Sequence, residues 1–152
     1  MKKTLLLFAA ITLCACQAPQ LIRPEGFALY ENSARGVKSV SPERIMYRVR
    51  AFKNEDKAGL EFWKTALKTH MQDSGYIQLS ESDITAKSTP GYLLELVAPV
   101  GANDYTYIIA IFVHKEKLVV FESAGETKYF EKYKDNIIKT IESTDVESAS
   151  QL

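Results

Sequence analysis

The chain has 152 residues, with 19 basic and 19 acidic side chains and a formal net charge of zero. This balance excludes the strongly basic composition of a dedicated nucleic-acid binder, so no nucleic acid is expected as a partner. Hydrophobic residues make up 46% of the chain. That is enough for one compact core, and the length is that of a single domain.

The first residues predict export from the cytoplasm. Lys2 and Lys3 precede an apolar run that starts at Leu5 and ends in small residues before Cys16, which is the pattern of a secretory signal peptide. The run is shorter than the ~20 apolar residues that a membrane-spanning helix needs. We therefore expect residues 1–15 to be a leader that is removed.

The end of this leader, Leu13-Cys14-Ala15-Cys16, resembles the lipobox of bacterial lipoproteins. In that family a Leu three residues before the acceptor Cys and a small residue directly before it guide cleavage, and the Cys thiol receives a diacylglycerol. The resemblance implies that Cys16 is lipidated and becomes the first mature residue. Cys14 as acceptor would put Leu13 where the family requires a small residue. The alternative is an ordinary signal peptide whose end contains cysteine.

Lipidation of Cys16 implies a protein that is tethered to a membrane without entering it, since more than one acyl chain holds a protein stably at a bilayer. By resemblance to the sorting rule of Gram-negative bacteria, Gln17 in place of an Asp favours the outer membrane, facing the periplasm. With Cys16 modified and Cys14 removed, the mature domain has no thiol for a disulfide or a thiolate metal site. Its stability then depends on packing alone.

The mature chain divides into three parts. Residues 16–25 are polar and contain two prolines, which predicts an extended tether. A single domain is expected over residues 26–143. The polar residues 144–152 are expected to be a disordered tail.

Two strands and a helix are predicted in the first half of the domain. The strands cover residues 27–30 and 44–52. The second strand alternates, with Ile45, Tyr47, Val49 and Ala51 on one face and Arg44, Met46, Arg48, Arg50 and Phe52 on the other. The helix is predicted to start at Asn54, a typical N-cap residue, and to end at Gly75. Its apolar positions at helical spacing are Leu60, Trp63, Leu67 and Met71.

The second half of the domain is predicted to be mostly strand. A short strand is expected at residues 76–79, and the polar segment 80–90 is expected to be a loop. Three closely spaced strands at residues 92–98, 105–113 and 118–122 favour an antiparallel meander. The middle strand is apolar on both faces, which predicts that both faces are covered. The last helix is predicted over residues 126–143, with a stripe of Phe130, Tyr133, Ile137 and Ile141.

This order predicts an α+β fold, an antiparallel sheet of about six strands with a long helix on each side. It resembles the PsbP-like fold, an α/β/α sandwich shared by PsbP, the yeast Mog protein and the bacterial lipoprotein DcrB. The resemblance rests on the opening Gly26-Phe27-Ala28-Leu29-Tyr30, on strands 105–112 and 117–121, and on the closing helix. It is a pattern of apolar spacing over most of residues 26–143, so no functional residue is carried over. It implies an accessory or binding protein that is not an enzyme.

Few residues are candidates for catalysis. The two histidines, His70 on the predicted helix and His114 in a turn, lack partners at metal-ligand spacing, so no metal and no cofactor are expected. The sequence has no nucleophile elbow and no glycine-rich phosphate loop. Glu95 interrupts an apolar strand and could be a general base, although such a residue more often marks an exposed side or an edge of the strand.

Two sets of residues are candidates for binding. The first set shares one predicted strand face and consists of Arg44, Arg48 and Arg50. These cations could bind a phosphate, a carboxylate or an acidic patch, or they could form a solvated face with their stems packed on the sheet. The second set consists of Tyr92, Tyr105 and Tyr107. These rings could form a recognition surface or ordinary cross-strand packing.

Three functions are compatible with these features. The first hypothesis is a membrane-tethered, non-enzymatic module that binds another envelope protein or assists an assembly. The alternative is a carrier of a small apolar or lipid ligand, in a pocket between sheet and helix lined by Trp63, Phe112 and Tyr133. A third hypothesis is an envelope hydrolase whose residues meet only in space.

Overall fold

The computed structural model describes residues 23–33, 36–100 and 103–152. The predicted leader, the lipobox and Cys16 lie outside the described residues. The described ranges contain seven strands and three helices in the order β1 (Ala28–Ser33), β2 (Gly36–Val40), β3 (Met46–Lys53), α1 (Leu60–Asp73), β4 (Ile77–Ala86), β5 (Thr89–Val100), β6 (Asn103–His114), β7 (Lys117–Glu126), α2 (Thr127–Ser143) and α3 (Val146–Ala149). No helix in these ranges is long and apolar enough to span a membrane.

The strands form one antiparallel sheet in the order β1-β2-β3-β7-β6-β5-β4. Strand β6 lies near its centre and is apolar on both faces. Ile108 and Phe112 pack towards α2, whereas Ile109 and Ile111 pack towards α1. A strand that is buried on both faces needs a layer on each side. The predicted α+β class is confirmed, with seven strands instead of about six.

The additional strand comes from the β1–β2 hairpin. Gly36 lies between the two predicted strands, begins β2 and has a φ of +112°. A Cβ at this position would lie 2.3 Å from the carbonyl oxygen of Val49. Only glycine fits such a close approach with this backbone conformation. Glycine commonly interrupts strands, but here it allows β2 to pair with β3.

Arg44 does not lie on β3, so its predicted place on the strand face was wrong. The chain turns over residues 41–45, where the Arg44 N–H donates to the carbonyl of Ser41 at 3.0 Å. Arg44 has a φ of 65°, which breaks the extended alternation, and its side chain is exposed. The alternation predicted for the rest of the segment is confirmed, with Tyr47 and Val49 buried towards α2.

The predicted helix start at Asn54 was also wrong, because α1 begins at Leu60. The buried Asn54 side chain instead closes a loop. Its Oδ1 accepts from the N–H of Ala58 at 3.1 Å, and its Nδ2 donates to the Ala58 carbonyl at 2.9 Å. Asn54 Oδ1 also accepts from Trp63 Nε1 at 3.3 Å, so the loop fixes the first turn of α1 against the sheet.

The segment 80–90, expected to be a loop, belongs mostly to β4 and to the start of β5. Strand β4 is an edge strand that pairs only with β5 in the described sheet. Its polar side chains make ion pairs above the sheet, as between Glu81 and Lys68 at 2.8 Å. A strand held in this way lacks the apolar alternation on which the sequence prediction relied.

Both ends of the domain are packed more closely than predicted. At the start, Pro24 is buried, and the carbonyl of Glu25 accepts a hydrogen bond from Asn136 Nδ2 at 3.0 Å. At the end, Val146 of α3 is only 1% exposed and Ala149 is also buried. The predicted disordered tail after residue 143 was therefore wrong, because its few apolar residues fall on one helical turn and join the core beneath α2.

Candidate functional site

A groove runs beside α1 on the face of the sheet that lies opposite α2. It has a volume of about 370 Å³, at the lower end of the range for small-molecule sites. Its apolar walls come from α1 and from β3, β6 and β7: Phe52, Trp63, Ala66, Leu67, Met71, Ile109, Ile111, Leu118 and Val120. Its polar lining consists of Arg50, His70, Tyr107 and Glu122.

The groove exists because α1 covers this face unequally. The helix packs mainly over β4, β5 and β6. The neighbouring strands β7 and β3 continue the sheet beyond the flank of the helix. Their apolar side chains, Val120 and Phe52 among them, therefore form a floor and a far wall beside α1.

Three polar side chains meet towards one end of the groove. Glu122 Oε2 accepts from Nε and Nη2 of Arg50 at 2.9 and 2.6 Å, and Glu122 Oε1 accepts from the Tyr107 hydroxyl at 2.5 Å. The side chains of Arg50 and Glu122 are 28% and 11% exposed. Hydrogen bonds that involve a charged partner are short and strong, so the carboxylate is held from two sides.

The Tyr107 hydroxyl acts as a donor in this cluster. Burial and the charge of Glu122 raise the pKa of the Tyr107 phenol above its usual range. The phenol therefore keeps its proton at neutral pH and stays bonded to Glu122. The Tyr76 ring lies 5.6 Å from the Tyr107 ring, centroid to centroid, and packs beside it. This arrangement orients the Glu122 carboxylate.

The guanidinium of Arg50 is held in a defined position. Its Cζ lies 5.0 Å from the centre of the Phe52 ring, and its Nε and Nη2 are bonded to Glu122. The remaining Nη1 group makes no hydrogen bond to any part of the chain that the structure describes. A fixed guanidinium with one unused amino group suits recognition of an oxygen-bearing group on a ligand.

The arginines that the sequence singled out are partly brought together. Arg50 lines the groove, and Arg48 lies on the same face of β3, directly opposite Glu122 in the pairing with β7. Arg44 lies apart, in the turn before the strand. The predicted cationic face thus consists of two arginines beside one carboxylate.

The three tyrosines do not form one surface. Tyr107 lies in the groove, whereas Tyr92 is buried and its hydroxyl donates to Glu81. Burial and the charge of Glu81 raise the pKa of Tyr92. Tyr92 lies opposite Ile111, and Tyr105 lies six residues from Ile111 along β6, which is ~20 Å of strand. The hypothesis of a shared aromatic surface was wrong.

The predicted carrier pocket was also wrong in its lining, although a cavity between sheet and helix is present. Trp63 lines the groove beside α1. Phe112 and Tyr133 lie in the core on the opposite face of the sheet, where Phe112 is fully buried and Tyr133 packs edge-on against Phe27 at 5.3 Å between centroids. Neighbouring strand positions point to opposite faces, so these rings cannot share a cavity with Trp63.

Of the remaining candidates for chemistry, Glu95 serves the fold. Glu95 is buried, not exposed as expected, and accepts from Lys134 at 2.6 Å and from the Ser80 hydroxyl at 3.0 Å. It joins β5 to α2 and β4. His70 lies at the rim of the groove. Over the described ranges, no group of three His, Cys, Asp or Glu side chains is placed to hold a metal ion.

Glu122 is the site residue that sequence reasoning missed. It was predicted only as the last residue of an apolar strand. A carboxylate directly after Val119-Val120-Phe121 is a signal, because burial of a carboxylate requires a partner. The partner, Arg50, could not be identified without the register of β3 with β7, which brings this face of β3 next to Glu122.

The sequence matches no protein-family model and no curated protein. Solved structures do match its fold. Cyanobacterial PsbP (CyanoP) from Synechocystis sp. PCC 6803 superposes with a TM-score of 0.56 at 14% identity, over 80% of this chain and 81% of that chain. This chain has a PsbP-like fold.

Two further solved structures resemble its fold. LpqN of Mycobacterium tuberculosis, which is involved in cell envelope biogenesis, has a TM-score of 0.61 at 10% identity, over 80% of this chain and 78% of its own. PA94 from Pseudomonas aeruginosa has a TM-score of 0.61 at 8% identity, over 79% and 96%. The resemblance drawn from element order is confirmed for the fold. At these identities, function has to be argued from the site itself.

Proposed function

We propose that this PsbP-like protein is a lipid-anchored, non-enzymatic accessory protein of the bacterial cell envelope, which binds an apolar ligand in the groove beside α1. The groove carries the proposal. It is an apolar cavity of about 370 Å³ with a few convergent polar groups, which is the usual composition of a small-molecule site. Its charged groups are paired with each other and its phenol is held protonated, which favours binding over catalysis.

The envelope location rests on different evidence. The proposed anchor is Cys16, and Gln17 after it favours the outer membrane, facing the periplasm. LpqN, a protein of the same fold, is involved in cell envelope biogenesis. The anchor is tested by metabolic labelling with a palmitate analogue. We expect label on the native chain and none on Cys16→Ser, which should leave the membrane fraction; equal labelling of both would exclude Cys16 as the acceptor.

Ligand binding is tested with N-phenyl-1-naphthylamine, an uncharged apolar dye that fluoresces when it is desolvated. The full chain carrying Cys16→Ser avoids detergent. Ala66→Phe places a ring in the groove, whereas Thr69→Phe adds the same ring at an exposed position of α1. We expect dye binding by the parent and by Thr69→Phe, and its loss in Ala66→Phe. No binding by the parent, or equal binding by both variants, would reject the groove as the site.

A second candidate function is binding of an envelope protein, and one observation favours it. Strand β4 forms an edge of the sheet and exposes large apolar side chains there, with Ile77 and Leu79 more than half exposed. An open edge can accept a strand from a partner. A photo-cross-linking residue at position 79 in cells should then yield one defined adduct. The control is Thr69, and an adduct of equal yield there would count against this function.

A further inference from the structure

The face of the sheet at the polar end of the groove carries one more cation than the groove lining itself, because Arg48 lies next to the lining residues Arg50 and Glu122. Arg48 and Arg50 lie on the same face of β3, and Glu122 on β7 lies opposite Arg48 while its carboxylate is bonded to Arg50. Both oxygens of Glu122 are occupied, one by Arg50 and the other by Tyr107. Arg48 has no ion pair with any residue in the described ranges. One cationic charge is therefore left uncompensated beside an apolar cavity.

More distant groups do not cancel this charge. Lys38 of β2 lies opposite Arg48 on the same face and is itself opposed by Glu31 of β1. The Lys38 ammonium lies 5.0 Å from the centre of the Tyr30 ring. From α1, the titratable side chain that lines the groove is His70. Among the charged residues of β1, β2 and β3 named here and Glu122, the three cations Lys38, Arg48 and Arg50 thus exceed the two acids by one.

The apolar part of the groove extends away from this charge along the strands. Phe52 and Leu118 form a directly opposed pair at the far end, and Val120 lies between Leu118 and Glu122 on the same face. The four-residue step from Leu118 to Glu122 is ~13 Å along the strand. A cavity of this shape has an apolar body and a cationic end.

We propose that the ligand is a free anionic amphiphile of the fatty-acid class, an inference that rests on the proposed ligand-binding function. Its carboxylate pairs with Arg48 and with the unused Nη1 of Arg50, and its chain lies against Val120, Ile111 and Leu118. Glu122 is a positioning residue that holds Arg50 in place. A single molecule is favoured over a bilayer surface because the apolar walls are recessed between α1 and the sheet.

The test compares laurate with 1-dodecanol, which has the same chain length and no charge. Both are titrated below micellar concentrations against the full chain carrying Cys16→Ser, with displacement of N-phenyl-1-naphthylamine as the readout. Arg48→Gln removes the uncompensated charge without breaking the Arg50–Glu122 pair. Arg44→Gln makes the same change at an exposed turn outside the groove.

We expect Arg48→Gln to weaken laurate binding about tenfold, the usual effect of losing one charged hydrogen bond. Dodecanol binding should not change, and Arg44→Gln should resemble the parent. Equal affinity for laurate and dodecanol in all variants would overturn the inference and leave the apolar-ligand function standing. Dye binding without displacement by either compound would also overturn it. Failure of the dye to bind would reject the proposed function itself.

A further arm separates a free ligand from a lipid surface. The same variants are sedimented with phosphatidylglycerol vesicles. We expect no difference between Arg48→Gln and Arg44→Gln in vesicle binding. Arg48-dependent sedimentation without laurate binding would mean that the charge recognises a membrane, and would overturn the proposal.

Discussion

Arg50 of β3 and Glu122 of β7 are joined by two hydrogen bonds to one carboxylate oxygen, at 2.9 and 2.6 Å. The two residues are distant in the sequence and are brought together only by the pairing of their strands. Because Glu122 is largely buried, its charge depends on Arg50 for compensation. This pair therefore links the stability of the sheet to the shape of the groove.

Removing one partner of the Arg50–Glu122 pair should lower the free energy of unfolding more than removing both charges. Arg50→Met leaves Glu122 uncompensated, and we expect a loss of about 2 kcal/mol in the free energy of unfolding. Adding Glu122→Gln removes the unpaired charge while an acceptor for Tyr107 remains, so the double variant should regain most of the loss. Urea denaturation measures both. Equal destabilisation of the single and double variants would contradict this account.

An exposed ion pair provides the control. Lys53 and Glu55 are 3.3 Å apart, with both side chains mostly exposed. Exposed pairs contribute about 0–1 kcal/mol. Lys53→Met should therefore change the free energy of unfolding much less than Arg50→Met does.

Gly91 is required by its close contact with a ring on the next strand. A Cβ there would lie 2.4 Å from the Phe112 ring and 2.7 Å from the Ile111 carbonyl oxygen. Overpacking of this kind costs about 1–3 kcal/mol, so Gly91→Ala should lower the midpoint of urea unfolding. Ser88→Ala, in the exposed turn before β5, is the control. An unchanged midpoint for Gly91→Ala would contradict this, because it would mean that β6 and the Phe112 ring can move to accept the added methyl group without a loss of stability.

Glu43 should contribute to the acid sensitivity of the fold. Hydrogen bonds from Lys132, at 2.7 Å, and from Tyr133 lower the pKa of Glu43 to about 2. A carboxyl with a lowered pKa in the folded state stabilises the protein above its unfolded pKa near 4.5, and this contribution is lost as the pH falls towards 2.

The measurement is urea unfolding at pH 6, 4.5 and 3. Glu43→Gln should reduce stability at pH 6 and flatten the decline between pH 4.5 and 3. Glu131→Gln changes an exposed acid on the same helix as Lys132 and should keep the parental slope. If the slopes of all three proteins coincide, the Glu43 contacts do not persist in solution.

The C-terminal helix should stabilise the domain. Val146 is 1% exposed and belongs to the same core cluster as Ile141 of α2. Val146→Ala removes two buried methyl groups, so we expect a loss of about 2 kcal/mol. Limited proteolysis gives an independent measurement, since a packed end resists cleavage. Rapid trimming to residue 143 with unchanged stability would restore the prediction of a disordered tail.

The sequence was most informative where burial dictates the pattern. Strand β6 is apolar at consecutive positions, and such a strand has few alternatives to the centre of a sheet with layers on both faces. The stripe that begins at Phe130 likewise leaves one buried side for α2. Strand β6 and helix α2 therefore predict a central strand and a helix packed on the sheet without any knowledge of how the strands pair.

The errors occurred where a polar side chain is satisfied by a partner that the local sequence pattern does not identify. Asn54 has the chemistry of an N-cap, but it bonds Ala58 and Trp63 in a loop. Strand β4 resembled a loop because its acids face lysines of α1. The site depended on the same information: Arg48 and Arg50 were found from alternation, whereas Glu122 required the register of β3 with β7.

The domain is attached to its N-terminal segment on one side and opens its groove on the other. The Glu25 carbonyl is bonded to Asn136 of α2, and the groove lies beside α1 on the opposite face of the sheet. A link of about seven residues from Cys16 reaches at most ~25 Å, so an anchored domain has little freedom to move away from the membrane surface. With the proposed anchor at Cys16, the groove would open on the side of the domain away from its attachment, where a ligand could exchange with the solvent.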